Sequence, residues 1–136
     1  MPATDETIAY ARSAAKGALQ KFATDVVIVD VSEQLVITDA FVIASASNAR
    51  QVDAIVDGVE ETLLKEHNLK PKSREGRGEG TWVLLDYSDI VVHVFNRDDR
   101  EFYGLDRLWK DSPVISVPEI DKQETENNNT DSAHHE

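Results

Sequence analysis

Cysteine is absent from the chain. That absence excludes a disulfide scaffold, a thiolate zinc site, an iron–sulfur cluster and a cysteine nucleophile. Aromatic residues are sparse, at 7%. No apolar run approaches the roughly 20 residues that cross a bilayer. Residues 1–10 are acidic and lack the apolar stretch of a signal peptide, so a soluble cytoplasmic protein is expected. Basic residues are scarce as well. Lys plus Arg number 14 against 26 Asp plus Glu, for a formal charge of −12. A net anion is repelled by phosphate backbones, which disfavours general nucleic-acid binding and favours a basic partner.

What is present suffices for one core. The chain has 136 residues, 40% of them hydrophobic, the size and composition of a single domain. Its charge is uneven. Residues 118–136 hold six acids and one base, whereas residues 1–117 hold 20 acids and 13 bases. The polar, Asn-rich stretch 118–136 reads as a disordered acidic tail, and 1–117 as the domain.

Ile8, Ala11, Ala15, Leu19 and Phe22 recur at spacings of three and four, which predicts an amphipathic helix over 5–23, capped by Thr4 or Asp5. The β-branched run 26–31 predicts a central strand buried on both faces. A connector over 32–40 leads to a second apolar strand at 41–44. Val52, Ile55, Val56, Val59 and Leu63 predict a strong helix after Asn48, with Gln51 in the capping-box position and a stop at Asn68 and Pro71. Gly58 inside it costs about 1 kcal/mol relative to alanine, which suggests close packing there. The Gly-rich segment 72–80 reads as a mobile loop. Strands at 81–85 and 90–95 around the turn 86–89 predict a β-hairpin. A short helix follows to Trp109, broken at Gly104, and then an extended piece between Pro113 and Pro118. The order predicts a single α/β domain, a mixed β-sheet flanked by helices.

No motif carries strong chemistry. Gly76, Gly78 and Gly80 lead into a strand rather than a helix N-terminus, so they make no phosphate cradle. Lys70, Lys72, Arg74 and Arg77 lack aromatic neighbours and read as a solvated surface segment. His93, between Val92 and Val94, reads as a core histidine bonded to a neighbour. Asp30 and Asp39 flank a connector, but no Asp-x-Asp pair lies on a strand, so turn and surface roles are favoured over a two-metal site. Ser45 and Ser47 lack a nucleophile elbow. Trp82, Tyr87, Phe102, Tyr103 and Trp109 concentrate in the C-terminal third and suit either core or interface.

Six blocks appear in order: 25–31 (DVVIVDV), 37–45 (ITDAFVIAS), 50–52 (RQV), 82–87 (WVLLDY), 92–95 (VHVF) and 100–109 (REFYGLDRLW). This series resembles the ribosomal silencing factor, or Iojap-like, family over about residues 5–117. Ala46 stands where many members have glycine, and Asp106 where many have glutamate. The resemblance implies a nucleotidyltransferase-like fold without that superfamily's active-site signature, and hence no enzyme, cofactor or metal. It implies a translation repressor that binds the large ribosomal subunit through its fourteenth protein and blocks joining of the small subunit under nutrient limitation. An acidic domain suits a basic ribosomal protein. The blocks 82–87 and 100–109, with Asp89 from the turn after the first, supply the expected partner-binding residues: Trp82, Asp86, Tyr87, Asp89, Arg100, Tyr103, Leu105 and Trp109. Two rival readings are a nucleotidyltransferase-like enzyme using Mg²⁺ and a nucleotide, with Asp30 and Asp39 as ligands, and a homodimeric interaction module.

Overall fold

The computed structural model describes residues 2–120; the acidic stretch from Asp121 onward, most of the expected tail, lies outside the described residues. Helix α1 spans Asp5–Leu19 and is capped by Thr4, whose hydroxyl accepts from the Thr7 amide at 3.2 Å. Asp5 and Glu6 in its first turn complement the helix dipole. Its buried face is made of small residues, including Ala11, Ala14, Gly17 and Ala18. Helix α2 spans Ala49–His67 and buries the predicted stripe from Val52 to Leu63. The Asn48 side chain accepts from the Gln51 amide at 2.9 Å, and Asn68 closes the helix in the left-handed region (φ 55°). Replacing Asn48 with alanine should cost about 1 kcal/mol in chemical denaturation, because an orphan amide loses its acceptor.

The strands are β1 (Thr24–Asp30), β2 (Ala40–Ala46), β3 (Ser73–Glu75), β4 (Trp82–Asp86), β5 (Ile90–Asn96) and β6 (Val114–Ile115). They form one sheet in the order β3-β4-β5-β2-β1-β6. β2 and β5 run parallel, with Ile43 beside His93, and the remaining pairs are antiparallel. Helices α3 (Arg97–Tyr103) and α4 (Leu105–Leu108) follow β5, separated by Gly104 at φ 68°. The mixed sheet with flanking helices and the 82–96 hairpin match the sequence-based expectation.

Period-two alternation divides the core. On one face, Ile28, Val42, Ala44, Val83, Leu85, Val92 and Val94 pack with the apolar stripes of α1 and α2. On the other, Val29, Val31, Phe41, Ile43 and Phe95 form a smaller cluster, over which Trp82, Leu105 and Trp109 lie half-buried. Ile120 packs against the larger cluster, so ordered packing extends past the expected boundary at residue 117.

Three local expectations change. α1 ends at Leu19, so Phe22 leaves the helical face and is 83% exposed. The spacing continued the stripe, but the chain turns before reaching it. β1 is the penultimate strand, covered at its outer edge by β6 only at Ile28 and Val29. A β-branched run encodes burial, not position within the sheet. Part of the 72–80 segment pairs as β3 on β4, because Arg74 and Arg77 reach across to α2, bonding Glu60 at 2.5 Å and Asp57 at 2.7 Å.

Candidate functional site

The second sheet face gathers Phe41, Trp82, Phe95 and Trp109. His93 points to it from β5, flanked by Phe41 of β2 and Trp82 of β4. The Trp82 indole N–H donates to His93 Nδ1 at 3.1 Å, and the Trp82 ring stacks on Phe95 with centroids 4.9 Å apart. An Nδ1 that accepts is unprotonated, so the neutral ring carries its hydrogen on Nε2. Burial pushes the His93 imidazole down to about 4. Trp109, at the end of α4, meets Phe41 edge-on with centroids 5.4 Å apart. Its indole nitrogen is buried without a hydrogen-bond partner among the described residues, as is His93 Nε2.

Arg100 fixes the helices that cover this face. Its guanidinium donates to both Asp106 oxygens at 2.8 Å, to the Asp25 carbonyl at 2.5 Å and to the buried Ser45 hydroxyl at 2.7 Å. One side chain thus joins α3 and α4 to the adjacent ends of β1 and β2. The bidentate pair holds the Asp106 carboxyl below the usual range. Arg100 is therefore a brace, with its donors committed within the fold.

The acids lie at the opposite end of the strands. Asp86 closes β4 and accepts from the Ser88 amide at 2.8 Å, which forms an Asx-turn. Asp89 is exposed, while its carbonyl accepts from the amides of Asp39 and Ala40 and from the Thr38 hydroxyl. These bonds pin the turn to the β1–β2 connector. That connector exposes Val36 and Ile37.

The expected site residues therefore separate. Trp82, Leu105 and Trp109 come together on the second face, Asp86 and Asp89 mark its turn end, and Arg100 braces the far end. Tyr87 is a correction. It is 7% exposed and belongs to the α1–α2 side of the core, where burial pushes its hydroxyl well above the usual value. Its place in the WVLLDY block favoured exposure, but strand alternation turned it inward. Tyr103 ends α3, and of it the backbone alone is described. Phe41 and Leu35 were missed, although Phe41 begins the alternation that faces the cluster.

The carboxylates of the enzyme reading are engaged differently. Asp30 is 8% exposed. Burial opposes its ionisation, but the amides of Ala3 and Ser32 and the Ser32 hydroxyl, at 2.6–3.0 Å, outweigh burial and hold its carboxyl below the usual range. Asp39 accepts a long bond from the Thr7 hydroxyl at 3.5 Å. These contacts tie the N-terminal segment to the end of β1 and α1 to the residue before β2.

The profile of a family described as "Ribosomal silencing factor during starvation" matches residues 4–136. Ribosomal silencing factor RsfS of Bacillus subtilis is 36% identical over 97 residues, covering 71% of this chain and 81% of that protein. A mouse protein named Mitochondrial assembly of ribosomal large subunit protein 1 is 31% identical over 96 residues, covering 66% of this chain and 40% of that one. A crystal structure from Chromobacterium violaceum superposes with a TM-score of 0.71 at 28% identity, covering 80% of this chain and 89% of the other. The six sequence blocks and these matches agree: the chain belongs to the ribosomal silencing factor family.

Proposed function

We propose that this protein represses translation by occupying the large ribosomal subunit, through the fourteenth protein of its subunit-joining face, so that the small subunit cannot join. The carrying observation is the second sheet face. Two tryptophans and Leu105 lie there half-buried on a face that carries the acidic 86–89 turn at one end, while the opposite face is covered by α1 and α2. Half-buried aromatics rimmed by acids suit a basic protein partner, with charge raising the on-rate and aromatic burial lowering the off-rate. The name of the mouse relative, which refers to the large ribosomal subunit, supports the choice of subunit. Occupation needs no transition-state chemistry, so the reading assigns no catalytic role to Asp30 or Asp39 and no cofactor. It places the protein in the cytoplasm with the ribosomes.

Co-sedimentation with isolated subunits tests the reading, followed by a subunit-joining assay. The protein should pellet with large subunits alone and slow their joining with small ones. Tyr103→Ala should weaken binding by about 2 kcal/mol, the scale of an interface hot spot, without unfolding the domain. Neutralising Asp86 and Asp89 together should weaken binding at low salt and matter little at high salt. Normal folding with unchanged affinity in both variants would mean that a different surface is used.

A further inference from the structure

We propose that the turn after α1 is a docking point for an unpaired RNA nucleotide, its base stacked on Phe22 and its phosphates held between Lys21 and Arg50. Phe22 sits in the left-handed backbone region at φ 65°. There the Phe22 amide donates to the Leu19 carbonyl at 2.9 Å and the Ala23 amide to the Ala18 carbonyl at 3.2 Å. This is the closure of a Schellman motif, whose left-handed position is ordinarily glycine. A bulky aromatic residue there is strained, and this one is 83% exposed. Neither the backbone nor the core accounts for it. A strained, exposed side chain held in place points to function.

The turn is held firmly. The Gln51 side-chain amide Nε2 of α2 donates to the carbonyls of both Lys21 and Phe22 at 3.1 Å, and its Oε1 accepts from the Ser47 backbone amide at 2.6 Å. Phe22 borders an open groove of about 430 Å³ whose walls include Lys21, Ser47, Asn48, Arg50 and Ala54. No acid lines this groove, although the chain carries a net charge of −12. Lys21, whose stem lies against Gly58 of α2, and Arg50 are exposed and enter no ion pair among the described residues. The start of α2 adds the positive end of its dipole, with no acid in its first turn. An exposed aromatic ring sharing a groove with two cations that have no ion-pair partner is an arrangement that binds single-stranded nucleic acid, through stacking and phosphate contact with little sequence preference. An acidic peptide would share the charge complementarity. The choice of RNA rests on the proposed ribosome association, because ribosomal anionic surface is chiefly phosphate. Contact here would supplement the protein-binding face rather than replace it.

A short fluorescein-labelled single-stranded RNA, titrated with the full chain and read by anisotropy at low and high salt, tests this. Weak binding that fades with salt is expected. Phe22→Gly should raise the dissociation constant about fivefold or more, as for loss of one stacked base. The melting temperature should hold or rise, because glycine relieves the positive φ. Charge reversal at the exposed Lys21 and Arg50 should abolish binding. Absence of low-salt binding, unchanged affinity in either variant, or preference for a phenylalanine-containing acidic peptide would overturn the proposal. Co-sedimentation of the same proteins with large subunits separates the two readings. Oligonucleotide binding without sedimentation refutes the ribosomal role alone, and sedimentation without oligonucleotide binding refutes the RNA site alone.

Discussion

Stability is expected to fall by about 3 kcal/mol as the pH drops from about 6.5 to about 4, with His93 as the cause. In the folded chain the ring is buried and its Nδ1 is occupied by the Trp82 N–H, so the imidazole stays neutral down to about 4. In the unfolded chain it takes up a proton near 6.5. Between these values the unfolded state binds the additional proton. Stability contributed by the neutral ring is therefore complete above about 6.5 and is lost progressively down to about 4. Below that the His93 effect levels off, and protonation of the low-lying carboxyls of Asp30 and Asp106 continues the decline. Melting temperatures measured across this range should show the slope, and His93→Gln, with no titrating ring, should flatten it. The His93 ring signals in NMR should stay those of a neutral imidazole until the chain begins to unfold. A ring that titrates near 6.5 within a folded protein of constant stability would refute the account.

Replacing Gly17 with alanine should destabilise the domain by about 3 kcal/mol, although helix propensity alone predicts a gain of about 1 kcal/mol. Packing decides the sign. A Cβ on Gly17 would lie 2.6 Å from the Gly58 carbonyl oxygen and 2.7 Å from the Thr62 hydroxyl. A backbone oxygen within α2 cannot swing aside, so the helices must separate, and the alanine-rich face of α1 loses contact along its length. The melting temperature should fall on the order of 10 °C. Gly58→Ala meets the same crossing from the other side, 2.7 Å from the Gly17 carbonyl oxygen. It should cost a similar amount, and the double variant less than the two losses added, because both open one contact. A Gly17→Ala protein at least as stable as the parent would show that the helices are not held this closely.

The local pattern in the chain was sufficient to define α2, the hairpin of β4 and β5, the break at Gly104, the close approach implied by Gly58 and the bonded core role of His93. Each depends on spacing or residue chemistry within a few positions. The six family blocks were equally legible, because they are linear. Tertiary structure decided the rest. Trp82 and Tyr87 sit five residues apart in one block, yet strand alternation and the turn send them to opposite sides of the sheet. Arg100 was expected among the partner-binding residues, but Asp25 and Ser45, 75 and 55 residues away in the chain, are brought to it by β1 and β2 and take its donors within the fold. Phe22 fits the stripe of α1 by count, but the helix closes before reaching it. Periodicity is a local property that the sequence determines by itself, whereas the face a residue presents and the partner it meets depend on pairings between distant segments, which only the assembled sheet specifies.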